Sequence, residues 1–191
     1  DAQIAKGVIW AVDHGAQVIN LSLSRNSRTW PKSWDDAFVY AADHDVIVVA
    51  ASGNRSDGSN RPSAPATMPG VISVGGVDAN RLASETASTE GLGIVVVAPA
   101  EGLLGSYPGG EIRGWSGSSA AAPIVSGLIA LMLEKDPDAS ASDITLRLVS
   151  SASDLGDPGF DALYGYGLID PAAAISATST AALSPLGSLS E

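Results

Sequence analysis

Cysteine is absent from the 191 residues, which removes disulfide and thiol chemistry and leaves the redox compartment unread. Histidine is nearly absent, with only His14 and His44. Basic residues are scarce: 10 Lys and Arg stand against 21 Asp and Glu, a formal charge of −11 with an isoelectric point near 4.4. Phosphate contacts need clustered Lys and Arg, so nucleic acid is excluded as a partner. No apolar run reaches the length of a membrane span. No basic segment followed by a signal-type apolar stretch opens the chain. No internal repeat is present. What the chain does have is a hydrophobic fraction of 45%, ample for the core of one domain or most of one.

Helical and apolar-strand segments alternate. Residues 2–14 place Ile4, Val8 and Ala11 at helical spacing, Val18 to Leu23 reads as a strand, and Ser24 to Lys32 is a loop. A second helix over 33–44 leads to the β-branched run 46–51, a Gly/Ser/Asn/Pro-rich loop over 52–70, and strands at 71–77 and near 94–98. Gly105 to Gly110 reads as a hairpin tip leading to Trp115, and helices follow at 119–134 and about 141–151, the latter with a Ser140/Asp143 capping pair. The pattern predicts a three-layer α/β/α fold with a parallel sheet, helices covering both faces. The unit spans 1–175, and residues 176–191, rich in Ser, Ala and Thr, form a mobile tail or linker.

Two segments carry chemistry. Gly117-Ser118-Ser119-Ala120-Ala121-Ala122-Pro123 opens an apolar helix. A serine there faces the unpaired N–H groups and positive end of the helix dipole, which favour negative charge, and the small residues around it leave room for a substrate. The early proline costs little in a first helical turn. The same serine also reads as an N-cap. Val46 to Ala51 is a buried strand by its β-branched content, and Ser52-Gly53-Asn54-Arg55 turns sharply after it. A carboxamide at that strand end lies where open α/β sheets bind ligands, and its N–H₂ could donate to an oxyanion. An Asn tolerating a left-handed turn is the other reading.

Together these segments resemble the subtilisin-like serine peptidases, or subtilases. The 117–123 segment is similar to the family's Gly-Thr-Ser-Met-Ala-Ala/Ser-Pro, and Ala50-Ala51-Ser52-Gly53-Asn54 to its Ala-Ala-Ala-Gly-Asn. Ala11 to Ser24 resembles the segment whose strand end lines the substrate groove. Pro65 and Pro69 before Gly70 to Asp78, then Val97-Ala98-Pro99, and Tyr164 to Asp170 as a closing strand and helix, continue the pattern in order. The resemblance implies acyl transfer with Ser119 as nucleophile. The Asn54 side chain and Ser119 N–H would stabilise the oxyanion, worth about 10²–10³ in rate per donor, a magnitude known from this family. It implies an extended peptide bound along Ser22-Leu23-Ser24 by β-addition, with Ala51-Ser52-Gly53 as one wall of the primary specificity pocket. Ser24 stands where the family usually has Gly, and Ser118 where it has Thr.

The family's triad runs Asp, His, Ser, and its Asp-Ser/Thr-Gly and His-Gly-Thr-His motifs are not in this sequence. His14 and His44 end amphipathic stretches, where a histidine is explained by the dipole and by solvation, and Asp13 and Asp43 read as surface residues. The chain begins Asp1-Ala2-Gln3, so the resemblance implies the C-terminal portion of a catalytic domain. An upstream part of the same protein or a companion chain would supply Asp and His and pair with the 18–23 strand, which alone would expose an apolar edge. Without its base the serine is a poor nucleophile, and this portion alone is expected to be nearly inert. No cofactor is implied. Structural calcium is possible in the family but is not placed, because the acidic residues show no EF-hand-like spacing and Asp154, Asp157 and Asp161 read as loop charges. Trp10, Trp30, Trp34 and Trp115 read as core or loop packing rather than groove lining. The family resemblance suggests a bacterial, secreted protein with polypeptide substrates. The rival reading is a non-catalytic peptide-binding or scaffolding module of the same fold. An unrelated α/β esterase is disfavoured because Gly-x-Ser-x-Gly is missing around Ser119.

Overall fold

The computed structural model describes residues 1–25, 27–58 and 60–178. Helix α1 (Ala2–Asp13) feeds strand β1 (Val18–Leu21), and α2 (Lys32–Asp43) feeds β2 (Ile47–Ala51). Strands β3 (Ile72–Val77) and β4 (Val96–Pro99) follow, then β5 (Leu103–Tyr107) and β6 (Glu111–Trp115), and helices α3 (Ser118–Lys135), α4 (Ala141–Ser150) and α5 (Pro171–Ser176). Strands β1 to β4 form one parallel sheet in chain order, with Val18 opposite Ile47, Val49 opposite Ile72 and Val74 opposite Val96. Strands β5 and β6 form a separate antiparallel hairpin.

Side chains alternate between the two faces of a strand, and this alternation builds three layers. Ile47, Val49 and Ala51 point to one face, where they meet Ala121, Val125 and Ile129 of α3 and Ile144 and Leu148 of α4. Val46, Val48 and Ala50 point to the other, against Val8 and Val12 of α1 and Trp34 and Phe38 of α2. The fold is a three-layer α/β/α arrangement around a parallel sheet. The stripe that α1 buries is Ala5, Val8 and Val12, with Ile4 and Ala11 packed at its flank.

Several details differ from the sequence reading. Strand β1 stops at Leu21 because its last partner is Ala50, so Ser22, Leu23 and Ser24 run on beyond the ladder. The expected closing strand near 164–170 makes isolated bridges instead, with Leu168 meeting Val97 and Ser153. Gly165 and Gly167 approach so closely that a Cβ would lie 2.3 Å from the Val95 carbonyl oxygen and 2.1 Å from that of Ser153. Trp34 is core, as expected, whereas Trp10 is 62% exposed and stacks on His14. Helix α3, with 18 residues and a mean hydropathy of 1.2, is long and apolar enough by those measures to cross a membrane. In the fold it packs on the sheet as a core helix. The Ser140/Asp143 capping box forms. Of the expected tail, residues 179–191 lie outside the described residues.

Candidate active site

The site is built where the C-terminal ends of β1 and β2 meet the start of α3. Past Ala51, Ser52 N–H still donates to the Val74 carbonyl at 3.0 Å, holding the chain to the sheet. Gly53 then turns it at φ +108°, a left-handed conformation that glycine adopts without steric cost, and Asn54 follows. From the other side, Gly117 N–H donates to Ala100 O at 2.8 Å and takes φ +116° before α3 begins. A Cβ on Gly117 would lie 3.3 Å from Asn54 Oδ1 and 3.4 Å from its Nδ2. Glycine is therefore required at 117 twice over, for its backbone angle and for the carboxamide packed against it.

Ser118 fastens the two segments. Its N–H donates to Asn54 Oδ1 at 2.9 Å. Its buried Oγ lies 2.9 Å from Gly53 O, 3.1 Å from Gly53 N and 3.1 Å from Asn54 Oδ1. With Oδ1 committed to α3, the carboxamide has its orientation set and its Nδ2 is the donor left to act. One of the Nδ2 hydrogens reaches Asp57 Oδ2 at 3.3 Å, and a primary amide has two to give. The hydroxyl retained at 118, where the family has Thr, thus holds this turn together.

Ser119 is half-buried, and its Oγ–H points to Ser22 O at a long 3.4 Å. Its N–H is one of the donors that a first helical turn leaves unpaired, and no hydrogen bond among the described residues takes it up. Its carbonyl is explained by Pro123. That proline lies in the second turn, not the first, because the helix starts at Ser118. It has no N–H to offer the carbonyl four residues back. Ser22 Oγ–H donates to Ser119 O instead, at 2.7 Å. Ser22 Oγ in turn accepts from Asn20 Nδ2 at 2.9 Å, and Asn20 Oδ1 accepts from Ser126 Oγ at 3.1 Å. A chain of three side chains, ending on the Ser119 carbonyl, thereby ties the end of β1 to the first turns of α3.

Of the residues expected from sequence, Ser119, Asn54 and Ser22 converge on this corner. Ser22 and Ser24 are exposed and Leu23 half-buried, on the free segment past β1. Ser52 and Gly53 are buried beside Asn54. Ala51 is 1% exposed and its methyl packs in the α3 core, so only its backbone is available to a ligand. Asn20 and Ser126 were not anticipated; the one signal was a polar residue inside the apolar run Val18 to Leu21. His14 and His44 terminate α1 and α2, at the opposite ends of β1 and β2 from Asn54. Strands of four and five residues span about 13–17 Å, and each ring bonds its own helix, with Nδ1 2.7 Å from Trp10 O and 2.8 Å from Tyr40 O. Neither can serve Ser119.

The acidic loop after α4 spends its oxygens locally. Asp161 Oδ1 accepts from Leu163 N–H and Tyr164 N–H at 2.7 Å each, and Asp154 Oδ2 accepts from Gly159 N–H at 2.8 Å. No group of three or more His, Asp or Glu among the described residues is arranged to hold a metal.

With this serine and carboxamide placed side by side, the whole chain can be compared with known proteins. The model of the subtilase family, Peptidase_S8, matches residues 1–167, and the chain belongs to that family. Subtilisin DY of Bacillus licheniformis is 39% identical over 175 residues, covering 90% of this chain and 61% of the relative. Fervidolysin of Fervidobacterium pennivorans is 34% identical over 199 residues, covering 92% and 28%. The crystal structure of fervidolysin, described as a keratinolytic enzyme related to subtilisin, superposes with a TM-score of 0.82 at 32% identity, covering 92% of this chain and 29% of that one. The prenylagaramide maturation protease PagA gives 0.81 at 27% identity, covering 92% and 66%. The chain thus spans about three-fifths or less of the curated relatives named here.

Proposed function

We propose that the protein is a serine endopeptidase whose nucleophile is Ser119 and whose oxyanion donors are Asn54 Nδ2 and Ser119 N–H. The observation that carries this reading is the Ser118 N–H to Asn54 Oδ1 bond, 2.9 Å long, which holds the carboxamide one residue from the serine. Substrate lies extended along Ser22-Leu23-Ser24, whose backbone has left the ladder with β2 and is able to pair with a peptide. Ser119 Oγ attacks the scissile carbonyl carbon and its proton passes to a histidine. The negative oxygen that forms is held by the two N–H donors, the leaving amine takes the proton back, and water then hydrolyses the acyl ester. Because His14 and His44 sit at the wrong end of the sheet, the histidine and its orienting aspartate come from outside this chain, from preceding sequence or a companion chain. A secreted location goes with the proposal, by analogy with bacterial relatives.

The test uses the full-length protein and a fluorophosphonate probe. Labelling is expected on Ser119, with none in Ser119→Ala and little in the isolated chain. An intact protein that stays unlabelled and cleaves no peptide would instead be a peptide-binding module of the same fold.

A further inference from the structure

Strand β1 carries a polar side chain where its alternation calls for an apolar one. Val18 packs toward α3, while Ile19 and Leu21 pack with the α1 and α2 core. Side chains alternate along a strand, so Asn20 shares the α3 face with Val18. Helix α3 meets it with a hydroxyl. Ser126 follows Ser119 by seven residues, two turns along the same face of the helix. Its Oγ lies 3.1 Å from Asn20 Oδ1 and 3.1 Å from the Ala122 carbonyl oxygen of its own helix.

The directions of these bonds follow from one atom that has no hydrogen to give. The Ser119 carbonyl oxygen can only accept, so the Ser22 hydroxyl spends its single hydrogen there, at 2.7 Å. Toward Asn20, 2.9 Å away, Ser22 Oγ is then the acceptor and the Asn20 N–H₂ the donor. Asn20 Oδ1 is left facing Ser126. Each member sets the polarity of the next: the amide, held by Ser126, keeps the Ser22 hydrogen aimed at Ser119.

Ser22 lies one residue past the last paired position of β1, Leu21 opposite Ala50, so side-chain bonds decide where its hydroxyl points. It grips residue 119 at two atoms, with its hydroxyl on the carbonyl and its own carbonyl 3.4 Å from Ser119 Oγ. The preceding residue is already held, because Ser118 N–H donates to Asn54 Oδ1 at 2.9 Å. Pro123 offers the Ser119 carbonyl no helical donor. The backbone on either side of the Ser119 side chain is thus clamped, from Asn54 before it and from Ser22 after it.

Resting on the peptidase reading above, we propose that Asn20 is a positioning residue for Ser119, acting through Ser22 with its amide held by Ser126. It works on another side chain rather than on the reacting atoms. An aspartate of the same shape would reverse the relay. Its carboxylate has no hydrogen to donate and accepts from Ser22 instead, which takes the hydroxyl's one hydrogen away from the Ser119 carbonyl.

The experiment uses full-length protein, with active sites counted by fluorophosphonate so that kcat refers to folded enzyme. Asn20→Ala is expected to lower kcat by about three- to fivefold with KM little changed, the size of one hydrogen bond. Asn20→Asp is expected to lose about tenfold, as much as Ser22→Ala. In the Ser22→Ala background both substitutions should change kcat by less than about twofold, because the residue through which they act is gone. A packing role alone lowers the melting temperature and costs the same whether or not the Ser22 hydroxyl is present. If the Asn20 variants do not fold, Ser126→Ala carries the test, with a loss of about two- to threefold that also vanishes beside Ser22→Ala. A parent that labels and cleaves, with kcat unmoved by these substitutions, overturns the relay and leaves the peptidase standing. A loss undiminished by Ser22→Ala does the same. A parent that neither labels nor cleaves overturns the peptidase reading and this relay with it.

Discussion

The two ends of the parallel sheet use polar side chains in opposite ways. Where strands begin, His14 and His44 perform the same local task twice: each packs its ring against an aromatic residue four positions earlier, with centroids 4.1 Å apart, and bonds that residue's carbonyl. Where strands end, the bonds join residues far apart in the chain, 64 positions for Asn54 and Ser118, 97 for Ser22 and Ser119, and 106 for Asn20 and Ser126. Contacts within one helical turn finish a helix and need nothing else folded. Contacts across the chain exist only once sheet and helix have docked, and they are the ones able to place a nucleophile beside an oxyanion donor.

That contrast can be broken from either end. At the strand C-termini the largest effect after loss of Ser119 itself is expected for Asn54→Ala, with kcat lower by about 10²–10³, a magnitude established on subtilisin, a member of the same family, and carried over. KM should change little, and steady-state kinetics on the full-length protein decide it; equal losses in binding and turnover would contradict an oxyanion role. Ser22→Ala leaves the Ser119 carbonyl without its donor. A fall in kcat of about tenfold is expected, restored by Ser22→Thr, which keeps the hydroxyl. A purely structural role would lower the melting temperature without that recovery of turnover.

Away from the site, Ser140→Ala removes the α4 capping box and should lower the melting temperature by about 2–4 °C near neutral pH. Hydrogen bonds from the Ser140 hydroxyl and N–H hold the Asp143 carboxyl below its ordinary value of 3.8. A depressed folded-state value means that this contribution is present above 3.8 and lost as pH falls through the folded value. The gap between variant and parent should therefore close in acid, and thermal melts from neutral pH downwards measure it. The smallest effects belong to the strand N-termini. His14→Ala and His44→Ala should leave fluorophosphonate labelling unchanged and shift melting by no more than about 2–4 °C. Loss of labelling in either would erase the distinction between the two ends.

Much of the architecture was legible because it rests on local periodicity. Val46 to Ala51 alternates between two cores, as a strand buried on both faces must, and Ser140 with Asp143 carries its capping box in four consecutive residues. Ser119 and Asn54 were legible through motif resemblance, reinforced by the glycine before each turn. The limits of β1 were not, because Ser22 to Leu23 continues an apolar-polar pattern although the ladder with β2 ends at Leu21 and Ala50. Nor could Pro123 be read in full. Whether its missing N–H matters depends on where the helix begins and on which distant hydroxyl replaces it, and that hydroxyl is Ser22.

By itself the sequence determined the succession of helices and strands, the absence of thiol chemistry, and the two short motifs that carry Ser119 and Asn54. Hydrophobic period, composition and short motifs are properties of neighbouring residues, so they survive in one dimension. Only the tertiary structure decided that Ser118 would lock Asn54 in orientation and that Asn20 and Ser126 would stand behind Ser119. Those are distances between segments brought together by burial of the sheet's two faces, and no local pattern along the chain encodes them.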